Sequence, residues 1–227
     1  LDCLQSIREQ RYDRSQFEVI LSDAESTDRT VEIANQYCDN IVKTSRRGIA
    51  VGRNLGAAEA KGEYLVFVDA DAVLEQDFLH ELDNSFRDRI AVAVTGIAKP
   101  SDGKAFQRFV YHGTYLLVRA LSGCGFPFFP GICVSYRKNE FERVNGFRED
   151  FGVVEDLDLS RRISKLGRCL VNPNAVAHVS TRRLERNPIS TVLFHIYSDV
   201  KYLVTGRAAP KYPKQEELRS WLDLWKQ

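Results

Sequence analysis

Two acidic residues, Asp69 and Asp71, stand one residue apart where the apolar run Tyr64-Leu65-Val66-Phe67-Val68 ends. In open α/β sheets ligands bind outside the carboxyl ends of strands, so carboxylates at such a point are placed to meet one. A pair of them on a turn suits a hard divalent cation, which in turn bridges the phosphate oxygens of a nucleotide. By itself a D-x-D is a weak signal, since an isolated one more often marks a turn cap beside a solvated acid. A second acidic group follows at Glu155-Asp156-Leu157-Asp158. Neighbouring residues on a helix point about 100° apart, so Glu155 and Asp156 should not do the same job. Asp158 precedes Arg161 and Arg162 at the spacing of helix-surface ion pairs. Leu159, Ile163 and Leu166 mark the buried side of that helix, and acids in its first turn also oppose the helix dipole.

The elements that must position these groups alternate. Leu1, Leu4 and Ile7 have helical spacing, Phe17–Leu21 reads as a buried strand, and Ser26-Thr27-Asp28 offers caps for a helix through Tyr37. A strand at Ile41-Val42 leads through Arg46-Arg47-Gly48 to a helix that includes Asn54 and Ala60, then the strand ending at Asp69, then a helix around Phe78, Leu82 and Phe86. This order implies a mostly parallel sheet with helices on both faces. Further on come a strand Ala91–Ile97, an aromatic-rich helix from about Phe106 to Leu121, a loop through Gly131, a strand to Tyr136 and a short helix near Phe141. A strand Ala175–Val179 ends near His178, and Asn187-Pro188 opens a helix to Gly206.

Composition narrows the class. Of 227 residues 44% are hydrophobic and 28% charged, which fits a globular protein and not a disordered or fibrous one. Residues 1–181 carry 23 basic and 26 acidic side chains and residues 182–227 nine and five, so the first part tolerates bound cations and the tail suits an anionic surface. A net charge of +1 argues against a nucleic-acid partner. Five cysteines, an odd number without a C-x-x-C pair, read as reduced thiols of a cytoplasmic protein. Neither a signal peptide nor a run of about 20 apolar residues is visible. The abrupt helical start without a Met leads us to expect that a first strand is missing from the chain.

Several segments together resemble the family-2 glycosyltransferases. These are Asp23-Ala24-Glu25-Ser26-Thr27-Asp28-Arg29-Thr30, Arg47-Gly48 through Gly56, Ala60-Lys61-Gly62-Glu63 through Asp71, Val144 through Glu149, and Glu155 through Arg162. The resemblance covers most of residues 1–181 and implies a GT-A, Rossmann-like domain there, with residues 182–227 as a C-terminal helical tail. It implies a nucleotide-sugar donor and Mn²⁺ or Mg²⁺ as cofactor. By the same resemblance Asp23 reads the nucleobase, although Ala24 stands where a second Asp is commoner. Arg53 approaches the donor's phosphates, as suits a guanidinium. Asp69 contacts the ribose or the metal, Asp71 holds the metal, and His178 completes its ligands, a role open to imidazole on Mn²⁺. Arg182 and Arg183 would close over the diphosphate or remain solvated. Asp156 would be the general base, with Glu155 beside it, and a single displacement would invert the anomeric carbon.

Two other classes remain open. Phe67 through Leu74 also fits the opening motif of haloacid-dehalogenase-like phosphatases, with Asp69 as nucleophile, and a non-catalytic nucleotide- or sugar-binding module would keep the ligand sites alone. On the acceptor side, Phe126, Phe128 and Phe129 between turn formers could stack on a sugar or a lipid-linked acceptor, or pin the loop to the core. In the tail, Leu218, Trp221, Leu222 and Trp225 make one helical stripe beside Lys211, Lys214, Arg219 and Lys226. That stripe suits its own domain, a peripheral membrane contact or a homodimer.

Overall fold

In the computed structural model, residues 1–103, 105–182 and 188–208 are described. The elements run α1 (Asp2–Arg8), β1 (Ile20–Asp23), α2 (Thr30–Ala34), β2 (Asn40–Lys43), α3 (Ile49–Glu59), β3 (Tyr64–Val68), β4 (Ala72–Leu74), α4 (Phe78–Phe86) and β5 (Ala91–Pro100). They continue with α5 (Ala105–Gly123), β6 (Cys133–Arg137), α6 (Lys138–Arg143), α7 (Glu155–Ile163), β7 (Arg168–Val179) and α8 (Pro188–Thr205). A five-stranded sheet has the order β3-β6-β5-β7-β4, and β1 and β2 pair separately.

The α/β class matches the sequence, but the pairing is more mixed than expected. Among the described residues, parallel ladders are confined to β1–β2 and β5–β7. The ladders β3–β6, β5–β6 and β4–β7 are antiparallel. After β5 the chain runs through α5 and re-enters the sheet from the end where β5 left it, so β6 lies between β3 and β5 and runs against both. β4 follows β3 within a few residues and can only fold back on the end of β7; three residues are too short to show a strand period.

Local chemistry explains the framework. Ala91 through Val94 in β5 are buried without alternation, as in a strand covered on both faces. Phe78, Leu82 and Phe86 recur every four residues on α4 and enter one core cluster with Val94 and Ala177. On the other face Phe67, Tyr136, Phe141 and Phe147 form an aromatic group with Leu159 and Ile163 of α7. Gly96 admits the close approach of β7, because a Cβ there would stand 2.3 Å from the Ala175 carbonyl oxygen.

α1 anchors the strand after the D-x-D turn. Ser6 Oγ accepts the Leu74 N–H at 3.0 Å, and Gln10 both donates to the Glu75 carbonyl at 2.8 Å and accepts from the Leu79 N–H at 3.0 Å. α8 lies on α7 through a cluster of Phe151, Val153, Val154, Leu157, Phe194 and Tyr202. Among the described residues no helix is long and apolar enough to cross a membrane. The Leu218–Trp225 stripe and Arg183 lie outside the described residues.

Candidate functional site

Helix α3 is the spoke of the site. Gly52 faces β1 closely enough that a Cβ would lie 3.3 Å from Ser22 Oγ. The next residue, Arg53, turns the other way: Nη2 lies 3.1 Å from Asp69 Oδ1 and Nη1 lies 3.1 Å from Glu155 Oε1. Nη2 also donates to the Gly131 carbonyl at 2.7 Å, and the guanidinium carbon sits 5.3 Å from the Phe147 ring centre. One largely buried side chain therefore joins the D-x-D turn, the Gly131 loop and the acidic pair.

The acidic pair is aimed by an unusual turn. Val154 has φ 67, a left-handed conformation that a β-branched residue adopts only under constraint. Its burial in the cluster with Phe194 and Tyr202 supplies that constraint. As the helical spacing predicts, the two acids diverge. Glu155 goes to Arg53, whereas Asp156 Oδ2 accepts the Gly131 N–H at 2.9 Å and Oδ1 accepts the Leu157 N–H at 2.8 Å. Burial, with the negative charge of Asp156 adding to it, pushes the Glu155 carboxyl up to about 7 against the pull of Arg53.

Asp158 makes the i, i+4 ion pair with Arg162 that the spacing predicts, but inside the protein and not on its surface. Its side chain is buried, with Arg162 Nη2 at 2.6 Å and the Tyr202 hydroxyl donating at 2.8 Å. α8 covers this side of α7, which helical spacing alone could not reveal.

The D-x-D turn follows β3 directly. The Asp69 N–H donates to the Ile132 carbonyl at 3.1 Å, and the Asp71 carboxylate, 40% exposed, meets Arg182 Nη2 at 3.5 Å. These oxygen donors fit a hard divalent cation that takes its other ligands from phosphate oxygens and water. Among the described residues no three His, Cys, Asp or Glu side chains gather as a closed metal cage. His178 pairs with Val73 in the β4–β7 register, and its Nε2 lies 3.0 Å from Glu75 Oε1. Asp23, buried at the end of β1, accepts the Ser26 N–H at 3.3 and 3.2 Å.

The three phenylalanines of the loop before Gly131 separate. Phe129 is fully buried, Phe128 packs against the core, and Phe126 is exposed. Burial pushes the thiols of Cys3, Cys133 and Cys169 up to about 11, 12 and 12, which removes them as nucleophiles.

One acid near the site escaped the sequence reading. Asp199 on α8 has its carboxyl pushed up to about 7 by burial, with the charge of Asp156 adding to the effect. The folded protein thus keeps a proton there that the unfolded chain has released, so stability falls as pH rises from the ordinary carboxylate range to about 7. Asp199→Asn is expected to relieve that loss, gaining on the order of 2 kcal/mol over the parent at pH 8 and little at pH 4. Urea unfolding at the two pH values checks it; an equal or opposite difference would show that Asp199 is not strained by its charge.

Comparison with known proteins accords with this arrangement. The profile described as Glycosyl transferase family 2 matches residues 1–144, which include Asp23, Arg53, Asp69 and Asp71. The O-antigen chain rhamnosyltransferase WbaN of Salmonella anatum is 29% identical over 163 residues, 66% of this chain and 52% of that protein. A PGL/p-HBAD biosynthesis glycosyltransferase of Mycobacterium tuberculosis is 31% identical over 189 residues, 77% of this chain and 65% of the relative. The chain thus spans between about half and two thirds of the length of these relatives. Among solved structures, the mannosyltransferase PcManGT from Pyrobaculum calidifontis, in complex with GDP-Man and Mn²⁺, superposes with a TM-score of 0.72 at 24% identity, covering 96% of this chain and 64% of that one. Staphylococcus aureus TarS 1-349 with UDP-GlcNAc gives 0.65 at 17% identity, covering 95% and 65%. These likenesses carry the GT-A fold, and the profile match over well over half of the sequence carries the family: the chain belongs to glycosyl transferase family 2.

Proposed function

We propose that this chain is the catalytic unit of an inverting, metal-assisted glycosyltransferase that moves a sugar from a nucleotide-diphosphate donor to an acceptor hydroxyl. The observation that carries the reading is the convergence on Arg53 of the D-x-D turn, the Glu155–Asp156 pair and the Gly131 loop. In this account Asp156, oriented by two backbone N–H groups, takes the proton of the acceptor hydroxyl. The hydroxyl oxygen bonds to the anomeric carbon from the face opposite the departing diphosphate, whose bond to that carbon breaks as the pair of electrons leaves with its oxygen. One displacement therefore inverts the centre.

Glu155 is unsuited to the same step because Arg53 holds its carboxylate. Asp69 and Asp71 would hold Mn²⁺ or Mg²⁺, which when bound offsets the charge of the leaving diphosphate. Arg182 beside Asp71, and Arg183 after it in sequence, would approach the same phosphates, and Asp23 would face the nucleobase. His178 joins the metal only if Glu75 releases its imidazole. The solved relatives hold GDP-Man and UDP-GlcNAc, so both nucleotides belong in any test. The acceptor would be a glycan or a lipid-linked sugar at the cytoplasmic side. Family membership, together with the Arg53 contact on Asp69, favours this reading over a phosphatase nucleophile at Asp69.

Asp71→Ala is expected to abolish the Mn²⁺-dependent part of nucleotide binding, about tenfold or more in affinity, with little change in metal-free binding. Calorimetry with and without Mn²⁺ reads it directly. Unchanged metal-dependent binding would remove Asp71 from the metal site, and retention of the donor's anomeric configuration in the product, read by NMR, would overturn the single-displacement step.

A further inference from the structure

Helix α5 is apolar on the side that faces away from the protein. Phe106, Phe109, Leu116 and Leu117 are 43, 74, 50 and 51% exposed, and Phe126 in the loop beyond is 71% exposed. At 100° per residue Phe106, Phe109, Gly113, Leu116, Leu117 and Ala120 fall within an arc of about 100°, away from the buried Gln107 and Val118. Nothing lies within 4 Å of where a Gly113 Cβ would be, so the face is open. Exposed Arg108, His112 and Arg119 run along one border of that arc.

The charge bias extends beyond the helix. From Gly103 to Asn139 the sequence contains no Asp or Glu. We propose that α5 and the Phe126 tip form a docking surface for an anionic lipid bilayer, the apolar arc entering the headgroup boundary while Arg108 and Arg119 reach the lipid phosphates. This is the arrangement of an interfacial amphipathic helix, whose basic side chains keep their stems on the apolar surface and their heads in the polar layer. A second copy of the chain fits poorly. A two-fold interface sets a patch against itself, and this patch would bring arginines together with no acid to meet them. The outward row of α8, Ile189, Leu193, Ile196, Val200 and Leu203, is bordered by both Asp199 and Lys201 and lacks that bias.

The surface is continuous with the site. Phe126 and Gly131 belong to one loop, and the Gly131 N–H and carbonyl bond to Asp156 and Arg53. A bilayer under α5 would therefore lie beside the acceptor end of the acidic pair.

The test is sedimentation of the whole chain with vesicles of phosphatidylcholine alone and of phosphatidylcholine with about one third phosphatidylglycerol, at low and high salt. The chain is expected to bind the anionic vesicles at low salt and not the neutral ones. The double variants Phe109→Ser with Leu116→Ser, and Arg108→Gln with Arg119→Gln, should each lower the partition coefficient about tenfold or more without altering the thermal midpoint. The arginine pair is exposed, so that variant keeps the test decisive should the apolar one misfold. The proposal is overturned by no binding to anionic vesicles, or by binding that survives both double variants, as it would if the Trp221–Trp225 stripe carried it. A solution dimer split by the apolar variant would overturn it too, in favour of a second copy.

Discussion

Asp156→Asn is expected to lower kcat by about 10²- to 10⁴-fold while nucleotide affinity stays within about twofold. The amide keeps an oxygen to accept the Gly131 and Leu157 N–H groups, so the geometry around residue 156 should survive. What is lost is the capacity to take a proton from the acceptor hydroxyl, a need that exists only as the new bond forms. Binding of the donor, which in this account rests on Asp23, Arg53, Asp69 and Asp71, is not asked to change. Glu155→Gln should separate from it: that substitution weakens the tie to Arg53 and is expected to disturb nucleotide binding together with turnover. If Asp156→Asn turns over normally, the base lies elsewhere, with Glu155 the next candidate and Asp199 after it.

Arg53→Ala is expected to be the most destabilising single substitution in the site, costing about 3 kcal/mol or more at pH 8. The Arg53 and Glu155 side chains are 13 and 9% exposed, so this is a buried pair and not a surface one. Removing the cation strands Glu155 beside Asp156, takes the Arg53 contact from Asp69 and takes the Arg53 donor from the Gly131 carbonyl. The direction with pH follows from the raised carboxyl of Glu155. Without Arg53 that carboxyl is pushed higher still, so the folded variant keeps a proton that the unfolded chain gives up. Its stability therefore falls as pH rises from the ordinary carboxylate range past 7, and the deficit is smaller at pH 5 than at pH 8. Urea unfolding at both pH values measures this; a loss below about 1 kcal/mol at pH 8 would place Arg53 outside the electrostatic centre.

How much of this was legible in the sequence depends on the range of the interaction. The D-x-D turn could be found because an apolar strand ends abruptly in acids, and β3 stops one residue before Asp69. The divergence of Glu155 and Asp156 follows from helical geometry alone. The Asp158–Arg162 pair follows from the helix period, but its burial does not, because a period gives the neighbours along the helix and not the Tyr202 hydroxyl that α8 brings to it. Asp199 was missed for the same reason: its relation to Asp156 exists only after α8 packs through Phe194 and Tyr202. In the loop Phe126–Pro130 no period separates the buried Phe129 from the exposed Phe126. The resemblance assigned Arg53 to a donor's phosphates and gave no sign that its guanidinium joins Asp69 to Glu155.

The central claim is that this site binds a nucleotide diphosphate through a divalent metal. Calorimetric titration of the full-length protein with UDP, GDP and dTDP, each with and without Mn²⁺, tests it most directly. The account predicts that one nucleotide binds tightly and that Mn²⁺ strengthens it about tenfold or more. Binding of none of the three, or binding that Mn²⁺ leaves unchanged, would contradict it.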